Sequence, residues 1–340
     1  MTTNARLAPI DDFVWRDGER IIVFKRGALE EAPELLSEHG CREYDLLSTS
    51  RALHEAPRAL EAVGSVHDVP AGPVPEAAKK IMATVRGVAI VALGGGRVID
   101  TAKAIVAVKG GRVAAIPTTL SGAEMTTIHR LPEGHTGRAL VRPVLVIADP
   151  EAMTSLPEDQ LRASAMNALA HGAEPLYTPF RNPVATMAAL RGAELIATAL
   201  DQDRGERDRA ALALGSILCA YALDSALFSL HHVVCQTLVR VCGTPHAETN
   251  AAVLPRALET MRERAPGAIA ELAGALGTDA EAIGARVEEL SGGRRHLAEV
   301  GFDRGCLDDA LDAMLERPEL AWVPDQPNRE QLAALVESAL

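Results

Sequence analysis

Aromatic residues are scarce in this chain: Phe, Trp and Tyr fill 3% of its 340 positions. Ala and Leu carry the apolar share instead, which points to an interior of aliphatic helix packing. No long basic run is present and the net charge is −12. Nucleic acid needs a concentrated Lys/Arg surface, so that class of partner is excluded. The acidic surplus bears on solubility more than on partners, and a local basic pocket could still serve an anionic substrate. No apolar run approaches the ~20 residues that a membrane-spanning helix requires. The start, Met1-Thr2-Thr3-Asn4-Ala5 leading to Asp11, Asp12 and Trp15, lacks the apolar stretch of a secretory signal. Cys41, Cys219, Cys235, Cys242 and Cys306 are an odd number with no CxxC spacing. They read as reduced thiols of a cytoplasmic protein.

What is present is an ordinary globular composition, 48% hydrophobic and 24% charged. A chain of 340 residues exceeds the size at which one core stops growing, so two domains are expected. The first half alternates short apolar runs with amphipathic segments. Arg20-Ile21-Ile22-Val23-Phe24, Asp45-Leu46-Leu47, Val88-Ala89-Ile90-Val91-Ala92-Leu93, Arg112-Val113-Ala114-Ala115-Ile116 and the run 143–150 read as strands. Helical patterns cover 27–39, 51–63 and 98–106. A βαβα rhythm implies a parallel sheet covered by helices. Beyond residue 159 the period becomes helical, over 159–177, 183–200, 205–241, 248–263 and shorter segments to the end. The predicted architecture is an α/β dinucleotide-binding domain, 1–156, followed by an all-helical domain, 157–340.

Gly94-Gly95-Gly96 lies between a buried strand and the helix Val98-Ile99-Asp100-Thr101-Ala102-Lys103. Glycines let backbone come close to a phosphate, and a helix N-terminus supplies free N–H groups and positive potential. The order is that of an anion-binding turn, although it is not the GxGxxG fingerprint. A second loop, Pro117-Thr118-Thr119-Leu120-Ser121-Gly122-Ala123-Glu124, follows the next strand. Hydroxyls and a glycine at the carboxyl end of a parallel strand sit where open α/β sheets bind ligands. Each loop alone could be structural; together they point to a dinucleotide. After the second strand, Ser48-Thr49-Ser50-Arg51 offers hydroxyls and a cation but no acid for a ribose 2′-OH. NADH and NADPH therefore both stay open. Ser50 reads equally well as a helix N-cap.

The GGGxxIDxAK turn and the PTTxSGAE loop resemble those of the iron-containing alcohol dehydrogenase superfamily. Asn167-Ala168-Leu169-Ala170-His171, Leu230-His231-His232 and Pro245-His246-Ala247-Glu248-Thr249 resemble the maleylacetate reductases within it. The similarity runs over 20–258. It implies the dehydroquinate synthase-like fold of iron-type alcohol dehydrogenases and a homodimer. It also implies that Gly95, Gly96 and Asp100 contact the cofactor, with Thr118, Thr119 and Ser121 nearby. Arg97 stands where the family has Ser; it could pair with the diphosphate or crowd it.

Asn167 and His171 share a helix face, as do His232 and Gln236. His171, His232 and His246 follow the order of the superfamily's metal ligands, whose fourth member is an Asp. The neutral Asn167 in that place weakens metal binding, so a metal-free site ranks above one holding iron or zinc. The three histidines then become hydrogen-bond donors to a developing alkoxide or enolate. Gln236 replaces a His that relatives carry near the nicotinamide; an amide can donate but cannot shuttle a proton. His231 reads as a buried neighbour, and Glu124 and Glu248 as capping or orienting residues. Arg130, Arg138, Arg142, Arg240 and Arg256 flank the motifs as possible anion partners, with Arg256 the most prominent.

The leading expectation is an NAD(P)H-dependent reductase resembling maleylacetate reductase. It would pass hydride to an activated C=C or C=O of a small carboxylated substrate; the family's reaction gives 3-oxoadipate. The alternatives are a metal-dependent alcohol dehydrogenase or aldehyde reductase, and a non-redox biosynthetic enzyme on the same scaffold.

Overall fold

Apolar β-branched runs bounded by glycine and hydroxyl residues form the strands, and in the computed structural model they make one sheet. Residues 13–56, 58, 63–137 and 140–340 are described. The chain runs β1 (Phe13–Asp17), β2 (Arg20–Phe24), α1 (Ala32–Glu38), β3 (Tyr44–Ser48), α2 (Ser50–Glu55), β4 (Val63–Asp68), α3 (Val74–Met82), β5 (Ala89–Gly94), α4 (Gly96–Lys109), β6 (Arg112–Pro117) and β7 (Leu145–Ala148). Then come α5 (Pro150–Met153), α6 (Glu158–Ala173), α7 (Pro183–Leu200), α8 (Arg209–Ala226), α9 (Leu230–Cys242) and α10 (His246–Arg264). Four more helices follow: α11 (Pro266–Ala275), α12 (Ile283–Leu290), α13 (Leu307–Leu315) and α14 (Arg329–Ser338). The change from sheet to helices falls between Ala148 and Glu158.

The strand order is β1-β2-β7-β6-β5-β3-β4, with β1 antiparallel to β2 and the remaining neighbours parallel. Side chains alternate across the sheet as the period of two requires. Val91, Leu93, Ile116 and Ile147 join Leu36 and Leu46 on one face. Ile90, Ala92, Val113 and Ala115 meet Ile99 and Ile105 on the other. Because β3 leads outward to β4 while β5 leads the other way to β6, the chain reverses direction between β3 and β5. That reversal opens a crevice at the strands' carboxyl ends.

The helical half packs into one core that also takes Ile22, Phe24, Val146 and Ala148 from the sheet. Its α8 is long and apolar enough to cross a membrane by length and composition, but 67% of it is buried inside the protein. Three expectations are corrected. The segment 51–63 is not one helix: α2 stops at Glu55 and an edge strand begins at Val63. The segment 205–241 is broken at Leu227, whose φ of 61° ends α8 and lets α9 start at Leu230. Cys242 and Cys306 are not reduced thiols but a disulfide joining the end of α9 to the start of α13, whereas Cys41, Cys219 and Cys235 are free and buried.

Candidate active site

The glycine turn and the 117–126 loop are built against each other. A Cβ on Gly95 would stand 3.0 Å from Thr119 Cγ2, and one on Gly96 would stand 3.0 Å from the Ser121 Cβ. Glycine at both positions leaves a cradle that any side chain would fill. Gly95 caps α4 without a side-chain bond, so the first-turn N–H groups face outward with the helix's positive end. Arg97 is exposed there and has no partner among the described residues, which leaves its guanidinium available to a diphosphate. Thr118 is buried with its hydroxyl unpartnered. These features fit the diphosphate of a dinucleotide. Ser48 and Thr49 lie at the adjacent end of β3 but are engaged already. Ser48 Oγ donates to Leu93 O at 2.8 Å, and Thr49, rather than Ser50, caps α2.

Lys103 holds the second loop in place. Fully buried, its ammonium donates to the carbonyls of Ala123 at 2.9 Å, Thr126 at 3.1 Å and Ile128 at 2.8 Å, and pairs with Asp100 at 2.7 Å. The loop then docks on α6: Leu120 N donates to Ser164 Oγ at 3.1 Å and Asn167 Nδ2 to Ser121 O at 3.5 Å. Gly122, at φ +72°, packs so closely that a Cβ would lie 3.0 Å from His171 Nδ1. One loop thus touches the cofactor cradle with one side and the histidine helix with the other. Glu124 is buried on it with both carboxylate oxygens unpartnered, and burial pushes its carboxyl up to about 7.

His171 and His232 stack with ring centroids 5.0 Å apart and 22° between planes. Glu174, one turn beyond His171, is fully buried and orients His232. Its Oε1 accepts from Ser229 N at 3.0 Å and His232 N at 3.3 Å, and its Oε2 forms a short bond with His232 Nδ1. His232 Nε2 is left buried without a partner. Burial raises the Glu174 carboxyl to about 7 and lowers the His232 imidazole to about 3. Both shifts have the same cause, burial, and both disfavour an imidazolium–carboxylate ion pair here. Burial and the neighbouring imidazoles also hold His171 well below the usual range. His231 is wholly buried, with Nε2 against Asn250 O at 3.2 Å. His246, the first residue of α10, is exposed to the cleft. It lies within electrostatic reach of Asp100 on the cradle helix and of Arg130.

Gln236 lies one turn beyond His232, and its Oε1 accepts from Arg317 at 3.0 Å. That arginine was not anticipated; it sits after α13, far from any motif. Of the arginines that were, Arg138 is outside the described residues. Arg142 pairs with Asp224, and Arg256 with Glu259 of α10 and Glu288 of α12, which corrects its prominence. Glu174 also escaped the sequence reading, although its spacing of three from His171 places both on one helix face.

Residues 19–150 match the model of the iron-containing alcohol dehydrogenases, and residues 162–340 match the C-terminal model of the Fe-containing alcohol dehydrogenase family. The chain belongs to the iron-containing alcohol dehydrogenase family. It is 32% identical to the maleylacetate reductase of Burkholderia cepacia, over 94% of this chain and 95% of that protein. The solved maleylacetate reductase of Agrobacterium tumefaciens superposes with a TM-score of 0.83 at 29% identity, over 97% of this chain and 99% of its own. A sulfoacetaldehyde reductase from Bifidobacterium kashiwanohense, solved with NAD+, shares the fold at 21% identity, over 94% and 96% of the two chains, with a TM-score of 0.78. This iron-type dehydrogenase is therefore an oxidoreductase that lies close to the maleylacetate reductases.

The family name raises the question of iron. Donor atoms of Glu174, His231 and His232 come within 4.8 Å of one another, but the Glu174 oxygens and His231 Nε2 already serve hydrogen bonds. The buried, unpartnered Asn167 Oδ1, His171 Nδ1 and His232 Nε2 suit a divalent cation better. Asn167, His171, His232 and His246 would hold it through uncharged donors only. Such an ion, when bound, would polarise a carbonyl oxygen.

Proposed function

We propose that this dehydrogenase is an NAD(P)H-dependent reductase of the maleylacetate reductase kind, acting on a small carboxylated substrate as a homodimer. The supporting observation is the Glu174-held imidazole of His232, stacked on the His171 ring that packs against a loop whose other side forms the dinucleotide cradle. Hydride delivered from a nicotinamide to an activated C=C or C=O places an electron pair on oxygen. His232 Nε2 is the donor aimed at that charge, and Glu174 returns a proton to Nδ1 as the Nε2 proton leaves. The negative charge then rests on a carboxylate already receiving two backbone N–H bonds, without a naked ion in the interior. Gln236 takes no part in this relay, since its amide has no proton to pass.

Exposed Arg51 opens α2 without a partner among the described residues, and no acid follows β3. Both features favour a 2′-phosphate and hence NADPH. The test is fluorescence titration with NADH and NADPH, followed by nicotinamide oxidation with maleylacetate. Saturable binding and turnover are expected, with NADPH tighter and activity retained after chelation. Binding of neither cofactor would refute the reading. Stoichiometric iron or zinc whose removal abolishes turnover would replace it with the metal-dependent dehydrogenase.

A further inference from the structure

The chain carries 46 acidic residues against 34 Lys and Arg, yet two arginines that flank the histidine motifs pair with none of them among the described residues. Arg130, just past the loop that Lys103 pins, and Arg240, on α9, have no side-chain hydrogen bond or ion pair among the described residues. A third, Arg317, is largely buried, at 14% exposure, with its Nε on Glu319 at 2.9 Å and an Nη on Gln236 at 3.0 Å. Partial desolvation lowers the pKa of the surface-accessible Arg130, and the nearby charges of Arg240 and Arg317 lower it further. The three guanidiniums are therefore within electrostatic reach of one another, and Glu319 pairs with Arg317.

Their position relative to the imidazoles follows from α9. His232, Gln236 and Arg240 succeed each other at intervals of four and run along one face. Helical Cβ atoms lean toward the N-terminus, so the Arg240 side chain is biased back along that row. Arg317 joins the row at Gln236, and Arg130 and Arg317 act on His246 and His232 respectively. Three cations around two imidazoles repel one another until an anion arrives.

We infer that Arg130, Arg240 and Arg317 form the carboxylate-binding side of the active site, and that Arg317 positions Gln236 between the bound carboxylate and His232. This deepens the reductase reading and rests on it for the identity of the reacting group. A guanidinium fork matches a carboxylate bidentately, so the cluster selects a small organic acid over its neutral analogue.

Calorimetric titration of the full chain at low ionic strength, with succinate and with neutral succinamide, tests this directly. Succinate is expected to bind at least about tenfold more tightly than succinamide. Arg130→Gln and Arg240→Gln should each weaken succinate about ten- to a hundredfold, the loss expected for one charge-assisted hydrogen bond. Both side chains are exposed, so the variants should fold, and their NADPH affinity should stay within about twofold of wild type. Succinate binding that is absent, matched by succinamide, or unchanged in both variants overturns the inference. Arginine-independent binding with hydride transfer intact would remove the cluster and spare the reductase. Arginine-dependent binding without nicotinamide binding would do the reverse.

Discussion

Lys103 and the Arg130–Arg240–Arg317 group are both cationic and both border the cleft, yet they are built in opposite ways. The Lys103 ammonium has three protons to donate, and three backbone carbonyls and the Asp100 carboxylate surround it in a fully buried site. Nothing remains for a ligand, so this charge serves the loop that joins cradle to histidines. Arg130 and Arg240 keep their side-chain donors, unpartnered among the described residues, and Arg317 donates to Glu319 and Gln236. A saturated buried charge marks scaffold, and an unsaturated cluster marks a place where charge is brought from outside.

The harshest way to break this contrast is Lys103→Met. It leaves three carbonyls and Asp100 without their cation, and breaking such a buried pair costs about 3–5 kcal/mol. Urea denaturation should show that loss, together with weaker NADPH binding as the loop drifts from the glycines. A cost below about 1 kcal/mol would mean that the loop holds itself. Next in size is Glu174→Gln, which keeps the shape but removes the proton that refills His232. Turnover should drop about a hundredfold while NADPH affinity holds, since general acid catalysis contributes on that order. Unchanged turnover would place the proton source elsewhere, with His246 the first candidate.

How far the sequence carried this picture differs between the same two regions. The cradle was legible because its chemistry is local: Gly94 to Lys103 and Pro117 to Glu124 are contiguous, and their residue types name the backbone geometry they need. Helical spacing put Asn167 and His171 on one face, whereas His232, on another helix, was joined to them only through the family resemblance. Arg317 was not, because 81 residues separate it from Gln236 and only tertiary packing brings them together. The disulfide joins cysteines 64 apart for the same reason. The edge strand Val63–Asp68 alternates exposure too weakly to stand out from the preceding helix pattern. The break at Leu227 has neither Gly nor Pro to announce it, and a Leu at φ 61° is held there by its surroundings.

Glu124 supplies a milder test, since it is the anionic counterpart of an unsaturated charge but lies on the scaffold side. Its folded pKa of about 7 lies above the ordinary 4.5, so burial favours the protonated form. The stability associated with that proton is complete below the ordinary value and is lost as pH rises through about 7. Glu124→Gln removes this titration. Its stability relative to wild type should rise by roughly 2 kcal/mol between pH 5 and pH 8, since each tenfold change in a proton-binding constant is worth about 1.4 kcal/mol. A difference independent of pH would show that water or a neighbour solvates the carboxylate.

The smallest expected effect is the most pointed. If Arg240 belonged to the scaffold as Lys103 does, replacing it would cost stability. As a member of a repelling cluster it should cost nothing: Arg240→Gln should fall within about 0.5 kcal/mol of wild type, on the stabilising side. Any gain should shrink as salt is added, because screening removes the same repulsion, and it should reverse when succinate is present, because only the wild type then gains a full set of bonds to the anion. Stability and binding would thus move in opposite directions at one residue. That is the behaviour of a charge kept for a ligand, and Lys103 can show no such reversal because its donors are already taken.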